Sequence, residues 1–227
     1  LKQLIDENNK IDYNRFKQIK YDNTLPTPMA YSWMDINALF DIDPMRYTDI
    51  RNILTEIQNW DRKADVNSYG AGAFAILYFK LGKYYRQLPE PKIFPKTYLI
   101  DALRDTKKHM IKFFGSEKVK LGDFQKLVRG NKEIPIFGLR DVLTAMASVP
   151  HKKGLSKVIA GESYIELVKF TKEGPEIESI ISYGSSDDPK SRHYDDQMDE
   201  YASFKTKKMT LDKEKILLDA EKIYNPK

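Results

Sequence analysis

SKVIAGESYIELVKFTKEGPEIESIISYG, residues 156–184, is the stretch of the chain that decides the fold. Its two outer parts, Ser156–Phe170 and Glu176–Gly184, carry β-branched and aromatic residues in partial alternation with polar ones, which is typical of strands. Between them, KEGP (Lys172–Pro175) favours a turn. We therefore expect an antiparallel hairpin. Because two strands rarely make a stable sheet alone, the hairpin should extend a sheet whose other strands lie elsewhere.

The chain upstream of this hairpin has helical patterning. Apolar residues recur at helical spacing in four segments and predict a helix in each: Met29–Phe40, which includes Trp33, and Tyr47–Trp60, Tyr69–Tyr85 and Tyr98–Phe114. Ser68 is placed to cap the third of these helices. Gly70 and Gly72 would weaken an exposed helix, so we expect another element to pack closely against the backbone there.

The order of these elements predicts the fold class. Helices come first, then the hairpin, then a final helix that starts near Thr210 and has Ile216, Leu217, Ala220 and Ile223 on its apolar side. This order indicates an α+β fold. We expect a mainly helical region over residues 1–130 and a β-rich region with the C-terminal helix over 131–227, together forming one structural unit.

Composition excludes several classes of protein. The chain has no cysteine, which excludes disulfides, thiolate metal sites and a cysteine nucleophile. The net charge of +5 is spread among mixed signs, and the one clear basic cluster, Lys205–Lys208, is followed by Asp212 and Glu214, so we expect no nucleic-acid partner. The longest apolar run, Ala71–Phe79, is too short to span a membrane. Because Leu1 opens the chain, we expect it to begin part-way through a longer protein.

The strongest candidate for chemistry is SRHYDDQ, residues 191–197, which holds a hydroxyl, an imidazole and two carboxylates. It could be a catalytic cluster built on Ser191 and His193. It could also be a cation site formed with neighbouring carboxylates, or a polar corner that anchors a chain end. Alternating residues on a strand lie about 7 Å apart, which is too far for a serine to contact its base. The spacing of Asp187, Asp188, Asp195, Asp196 and Asp199 does not match the twelve-residue calcium loop. A structural corner is therefore our preferred interpretation.

Four stretches resemble one known family in the expected order. They are Trp60–Phe74, Leu121–Met146, Gly161–Phe170 and Ser182–Lys205, and together they resemble the C-terminal part of the penicillin acylase family, which includes acyl-homoserine lactone and aculeacin-type acylases. The last stretch is the most specific, because the family commonly has Ser-Pro-His-Tyr, one further residue and Asp-Gln there. Arg192 replaces that proline.

The resemblance implies an N-terminal nucleophile hydrolase with an αββα sandwich, made as a self-cleaving precursor. Its new N-terminal serine would attack the amide carbonyl, with its own α-amino group as base. Since residue 1 is Leu1, that nucleophile is expected outside this chain, and we assign no catalytic, cofactor-binding or metal-binding residue and no cofactor. The chain would complete the sandwich and wall the substrate cleft, and would be inactive alone.

The resemblance also implies a partner, a substrate and a location. The partner is the rest of the same acylase, namely its small subunit and the N-terminal part of its large subunit. The substrate is a small acyl amide, either penicillin-like or an acyl-homoserine lactone, and the location is periplasmic or secreted. The alternative function is a non-enzymatic binding or scaffold module that folds alone.

Overall fold

The computed structural model describes residues 4–5, 10–27, 29–31, 34–220 and 223. Trp33, which belongs to the helix predicted over Met29–Phe40, lies outside the described residues. Contacts between Cα atoms divide the chain into two compact units, Leu1–Glu162 and Ser163–Lys227, and each is described by itself. Helices and sheets occur together, so the fold class is α+β.

Unit 1 is built around helices. They are α1 (Tyr13–Lys20), α2 (Arg51–Gln58), α3 (Tyr69–Tyr85), α4 (Lys96–Phe114) and the short α5 (Leu121–Phe124), with 3₁₀ turns at Asn37–Asp41, Pro44–Arg46 and Lys152–Gly154. The inward faces of α2, α3 and α4 form one core, which contains Ile53, Leu54, Ile57, Phe74, Leu77, Leu99, Leu103 and Met110. The helices predicted over Tyr47–Trp60, Tyr69–Tyr85 and Tyr98–Phe114 are confirmed.

The start of α3 follows the sequence signals. The Ser68 hydroxyl accepts a hydrogen bond from the backbone amide of Ala71 at 3.1 Å, so the predicted cap is confirmed. A Cβ atom at Gly70 would lie 2.4 Å from the Trp60 side chain, and one at Gly72 would lie 2.0 Å from the Val119 carbonyl oxygen. Both glycines therefore permit the close approach that the sequence predicted.

The prediction of a helix over Met29–Phe40 is wrong. The chain there forms two short strands, β1 (Ala30–Tyr31) and β2 (Met34–Asp35), followed by the 3₁₀ turn at Asn37–Asp41. The side chain of Asp35 accepts hydrogen bonds from both the backbone and the side-chain nitrogen of Asn37, each at 2.9 Å. Short polar side chains bonded to nearby backbone compete with helix formation. In addition, β2 pairs with β3 (Lys92–Ile93), a partner that helical spacing does not reveal.

Unit 1 also holds a four-stranded sheet in the order β5-β4-β7-β6. Its strands are β4 (Gln125–Arg129), β5 (Lys132–Pro135), β6 (Met146–Pro150) and β7 (Ser156–Gly161). The single strand expected over Ser156–Phe170 is divided after β7, and its second half belongs to unit 2. At the division, Glu162 forms an ion pair with Lys20 on α1, with 2.5 Å between Oε1 and Nζ.

Unit 2 contains the predicted hairpin. Strands β8 (Tyr164–Thr171) and β9 (Gly174–Ile181) pair antiparallel from Tyr164 opposite Ile181 to Thr171 opposite Gly174. The hairpin is confirmed, and Gly174 provides the positive φ of 123° that its turn requires. A third strand, β10 (Lys207–Met209), pairs with β9 and makes the order β10-β9-β8.

Unit 2 ends in two helices. They are α6 (Met198–Ala202) and α7 (Lys213–Asp219). The Asp212 side chain caps α7 by accepting from the backbone amides of Glu214 and Lys215, which confirms where the final helix starts. Its predicted apolar residues Ile216 and Leu217 are exposed in unit 2.

Candidate functional site

The segment SRHYDDQ lies in the connection between β9 and α6, where the chain turns tightly. The Ser191 amide donates to the Asp188 carbonyl at 3.0 Å, and the Tyr194 amide donates to the Ser191 carbonyl at 3.2 Å. The His193 carbonyl then accepts from the Ser186 amide at 3.0 Å. These bonds are all between backbone groups, so they fix the path of the loop.

Both ring nitrogens of His193 have side-chain partners. Its Nδ1 lies 2.7 Å from Asp196 Oδ2, and its Nε2 accepts from Arg192 Nε at 3.2 Å. The tautomer with its proton on Nδ1 satisfies both contacts, because it donates to the carboxylate and accepts from the guanidinium. The side chain of His193 is 37% exposed, so it does not pack inward as a buried corner would require.

Ser191 does not contact the imidazole as a nucleophile would. Its Oγ accepts a hydrogen bond from the backbone amide of His193 at 3.1 Å. A serine nucleophile needs its hydroxyl within hydrogen-bond reach of a base. With the ring of His193 directed to Asp196 and Arg192, these residues do not form a serine–histidine pair.

The nearby carboxylates have local structural contacts. Asp188 Oδ1 accepts from the backbone amide of Lys190 at 2.9 Å, and Asp196 bonds to His193. Among the described residues, no group of three or more histidine, aspartate or glutamate side chains could hold a metal ion. The aspartates at positions 187–199 are therefore not gathered into such a group in this arrangement.

Gln197 is the anchor of this corner. Gln197 is buried, and its side-chain Oε1 accepts a hydrogen bond from the backbone amide of Ile181, at the end of β9, at 3.4 Å. The backbone amide of Gln197 donates to the Tyr183 carbonyl oxygen at 2.8 Å. Gly184 allows the loop to close, because a Cβ atom there would lie 2.2 Å from the His193 carbonyl oxygen. The segment thus joins the last residues of β9 to the first turn of α6.

Replacing His193 with alanine should lower the free energy of unfolding by about 0.5–1 kcal/mol, because a partly exposed histidine–carboxylate contact has a small net energy. Urea unfolding measures this, and Lys190→Ala in the same loop is the control. If the chain is part of a longer hydrolase, as the family resemblance implies, hydrolysis by that enzyme should stay within about twofold of wild type after correction for folded protein. Complete loss of turnover with an unchanged melting temperature would contradict the structural role.

A second histidine contact was not predicted from the sequence. His109 on α4 lies with Nε2 2.7 Å from the Gly154 carbonyl oxygen and Nδ1 3.1 Å from Lys80 Nζ. Burial is the largest influence on both groups, and it lowers the pKa of His109 and the pKa of Lys80. Lys80 and Gly154 lie 29 and 45 residues from His109 in the chain, so sequence spacing did not predict these contacts. The ring connects α3, α4 and the turn at Gly154 and presents no nucleophile.

Comparison with known proteins connects the chain to acylases. The penicillin amidase family model matches residues 1–217. Acyl-homoserine lactone acylase PvdQ of Pseudomonas fluorescens (strain Pf0-1) is 31% identical over 90 residues, which cover 38% of this chain and 12% of that protein. PvdQ of Pseudomonas syringae pv. tomato (strain DC3000) is 26% identical over 174 residues, which cover 66% of this chain and 22% of that protein.

These relatives are much longer than the part that matches. The chain spans between 12% and 22% of the two PvdQ proteins. Among solved structures, a thermostable penicillin G acylase from Alcaligenes faecalis matches over 100% of this chain and 52% of its own, with a TM-score of 0.49 and 12% identity. Within the described residues, no helix is both long enough and apolar enough to cross a membrane.

Proposed function

The chain belongs to the penicillin amidase family, and on this premise we propose that it is the C-terminal, cleft-forming part of an acylase that hydrolyses amide bonds. The nucleophile is a serine outside these residues, and this chain is inactive alone. The chain completes part of an αββα sandwich whose remaining strands come from the small subunit and the N-terminal part of the large subunit. The enzyme is periplasmic or secreted and is made as a self-cleaving precursor.

The observation that carries this proposal is the family match over residues 1–217, taken with the short share of each relative that the chain covers. An enzyme as long as these relatives would have most of its residues outside the part that this chain covers. The geometry of Ser191 and His193 supports a nucleophile outside the chain, because the hydroxyl accepts from backbone and the imidazole faces Asp196 and Arg192.

An apolar surface on unit 2 supports a protein partner. In the register of the sheet, Val168 lies opposite Ile177, which lies opposite Met209, and Phe170 lies opposite Pro175. Paired residues point to the same face, and so do residues two apart on one strand, so these five residues share one side of the sheet. Phe170 is 84% exposed there. A contiguous exposed patch of this kind marks an interaction surface.

Helix α7 also carries exposed apolar residues. Leu218 is 85% exposed, and its neighbours Ile216 and Leu217 are also exposed. A seven-residue helix with its apolar residues in water has little intrinsic stability, because short helices depend on packing. We propose that the rest of the acylase covers both the sheet face and this helix.

The named relatives indicate the substrate class. Both are acyl-homoserine lactone acylases, so the proposed substrates are acyl amides, either acyl-homoserine lactones or penicillin-like amides. Deacylation of a quorum signal or of an antibiotic would follow.

The test compares the longer protein that contains this chain with the chain alone, using long-chain acyl-homoserine lactones and phenylacetyl amides. We expect hydrolysis by the longer protein and no hydrolysis by the chain. Turnover by the chain alone would place the active site within these residues, and Ser191→Ala and His193→Ala would then be the first variants to assay. A longer protein that is stable and cleaves neither substrate would favour the scaffold function.

A further inference from the structure

We propose that His109 and Lys80 form an acid-sensitive contact in unit 1, which joins α3 to α4 at neutral pH and separates when the imidazole becomes charged. Lys80 lies on α3 and His109 lies on α4, and the contact is between Lys80 Nζ and His109 Nδ1 at 3.1 Å. It belongs to unit 1, whereas the segment SRHYDDQ belongs to unit 2. The contact is therefore a feature of this chain that does not rest on the proposed acylase function.

Hydrogen bonding fixes the proton on one nitrogen of the His109 ring. Its Nε2 lies 2.7 Å from the Gly154 carbonyl oxygen, which can only accept a hydrogen bond, so Nε2 carries the proton. Nδ1 then keeps its lone pair and accepts from the Lys80 ammonium, which has donors and no acceptor. A neutral imidazole beside a charged lysine thus satisfies both ring nitrogens, and the pair holds one positive charge.

A second proton on the ring of His109 would have no acceptor. It would lie on Nδ1 and point at Lys80 Nζ, so that two positively charged donors would face each other across 3.1 Å. Both side chains are half-buried, where repulsion between like charges is stronger than in water because the effective dielectric constant is lower. Protonation of His109 therefore displaces the Lys80 side chain and removes a contact between α3 and α4.

Aromatic residues shield the ring of His109 from water. Its centroid lies 4.8 Å from that of Phe113, 6.2 Å from that of Phe114 and 6.0 Å from that of Phe124. On α5 it is the Phe124 ring that faces His109, whereas the Asp123 carboxylate contacts the Lys120 amide. Burial is accordingly the largest cause of the lowered pKa of His109, ahead of the Gly154 hydrogen bond, which acts in the opposite direction.

The charges that act on His109 from the two helices are both positive. They are Lys80 on α3 and Lys112 on α4 itself, and each lowers the pKa of the imidazole. Asp105 on α4 acts on Lys80 instead, where it favours the charged ammonium. Lys83 opposes that effect but is itself paired with Asp105. The positive charge thus rests on Lys80, and among the described residues the imidazole has no carboxylate partner.

The 3₁₀ turn that bonds to His109 presents an uncharged group, the Gly154 carbonyl. The charged side chains of this turn have other surroundings. Lys152 pairs with Glu133 on β5, and Lys153 is exposed. The acid response of the contact therefore depends on the imidazole and on the lysine that faces it.

The direction of the pH dependence follows from the lowered pKa of His109. In the unfolded chain this histidine titrates near its ordinary pKa of 6.5, and in the folded chain it titrates below that value. Between the two values the unfolded state binds more protons, so folding becomes less favourable as the pH falls. The stabilisation from this contact is therefore complete above pH 6.5 and is lost as the pH falls through the lower pKa of the folded state.

The test measures the pKa of each histidine in the 227-residue chain from the NMR signals of the imidazole rings. His109→Gln, His151→Gln and His193→Gln assign the three signals. We expect His109 to titrate below its ordinary value in the wild-type chain. Lys80→Met should raise the pKa of His109, because methionine keeps an apolar stem and removes the facing charge. Lys96→Met, which removes a lysine at the start of α4, is the control and should leave that pKa unchanged.

Thermal unfolding provides a second, independent readout. Between about pH 7.5 and about pH 5.5, the melting temperature of the wild-type chain should fall by at least about 2 °C more than that of His109→Gln, which cannot titrate at this position. The proposal would be overturned if His109 titrated at its ordinary value, or if Lys80→Met left the pKa of His109 unchanged. A lower pKa of His109 in Lys80→Met would overturn it equally, because Lys80 would then be a neutral acceptor and not a charged donor.

Discussion

Gly72→Ala is expected to lower the free energy of unfolding by about 3 kcal/mol, the upper end of the usual cost of overpacking. The added Cβ atom would lie 2.0 Å from the Val119 carbonyl oxygen and 2.8 Å from the Lys120 carbonyl carbon. Both are backbone atoms, which cannot move aside as a flexible side chain can. The substitution would therefore force α3 away from the segment that leads into α5.

The same helix supplies the control for this prediction. Gly82→Ala adds an identical methyl group where nothing lies within 4 Å, so it should raise the free energy of unfolding by about 0.5–1 kcal/mol through helix propensity. Urea unfolding of the two variants should give changes of opposite sign. If Gly72→Ala were as stable as wild type, the close approach of α3 to Val119 would be contradicted.

Gln125→Leu is expected to lower the free energy of unfolding by about 2 kcal/mol, because buried acceptors would lose their donor. Gln125 on β4 is 1% exposed, and its Nε2 donates to the carbonyl oxygens of Gly138 at 2.8 Å and Phe137 at 3.3 Å. The side chain thus connects the sheet of unit 1 to the segment that follows β5. Leucine has nearly the same volume, so the loss would come from hydrogen bonding.

Gln87→Leu is the matched control, because Gln87 is exposed and donates to a single backbone carbonyl, that of Lys83, at 3.2 Å. It should change the free energy of unfolding by less than about 0.5 kcal/mol, as surface substitutions usually do. Chemical denaturation followed by far-UV circular dichroism compares the two. Equal changes in the free energy of unfolding at positions 87 and 125 would show that the buried hydrogen bonds of Gln125 add no more stability than an exposed one.

Features that depend on nearby residues could be predicted from the sequence. The turn at Lys172–Pro175 lies between two strand patterns, and Ser68 stands three residues before the amide that it caps. Gly70 and Gly72 were also interpretable, since two glycines in an otherwise strong helix need a reason in packing. The chain order of helices and strands was sufficient for the α+β class.

Features that depend on distant partners could not be predicted. Met29–Phe40 has helical spacing, yet the Asp35–Asn37 contacts and pairing with β3 make strands there. The division between β7 and β8 coincides with Gly161, Glu162 and Ser163, where the alternation is interrupted, so this local signal was present and was missed. The candidate corner was found by its residue types. Only the coordinates show that Ser191 faces a backbone amide and that His193 is partly exposed.

The most direct test of the proposed role measures amide hydrolysis by the longer acylase when the apolar surface of unit 2 is made charged. Phe170→Glu with Leu218→Glu places carboxylates at two exposed positions, so the isolated chain should keep its stability. If the rest of the enzyme covers this surface, we predict that the hydrolytic activity of the double variant, per mole of enzyme expressed, is at least about tenfold lower than that of wild type. Lys172→Glu, at an exposed position in the turn of the same hairpin, should retain activity. Full activity in the double variant would contradict the claim that this chain completes the enzyme through that surface.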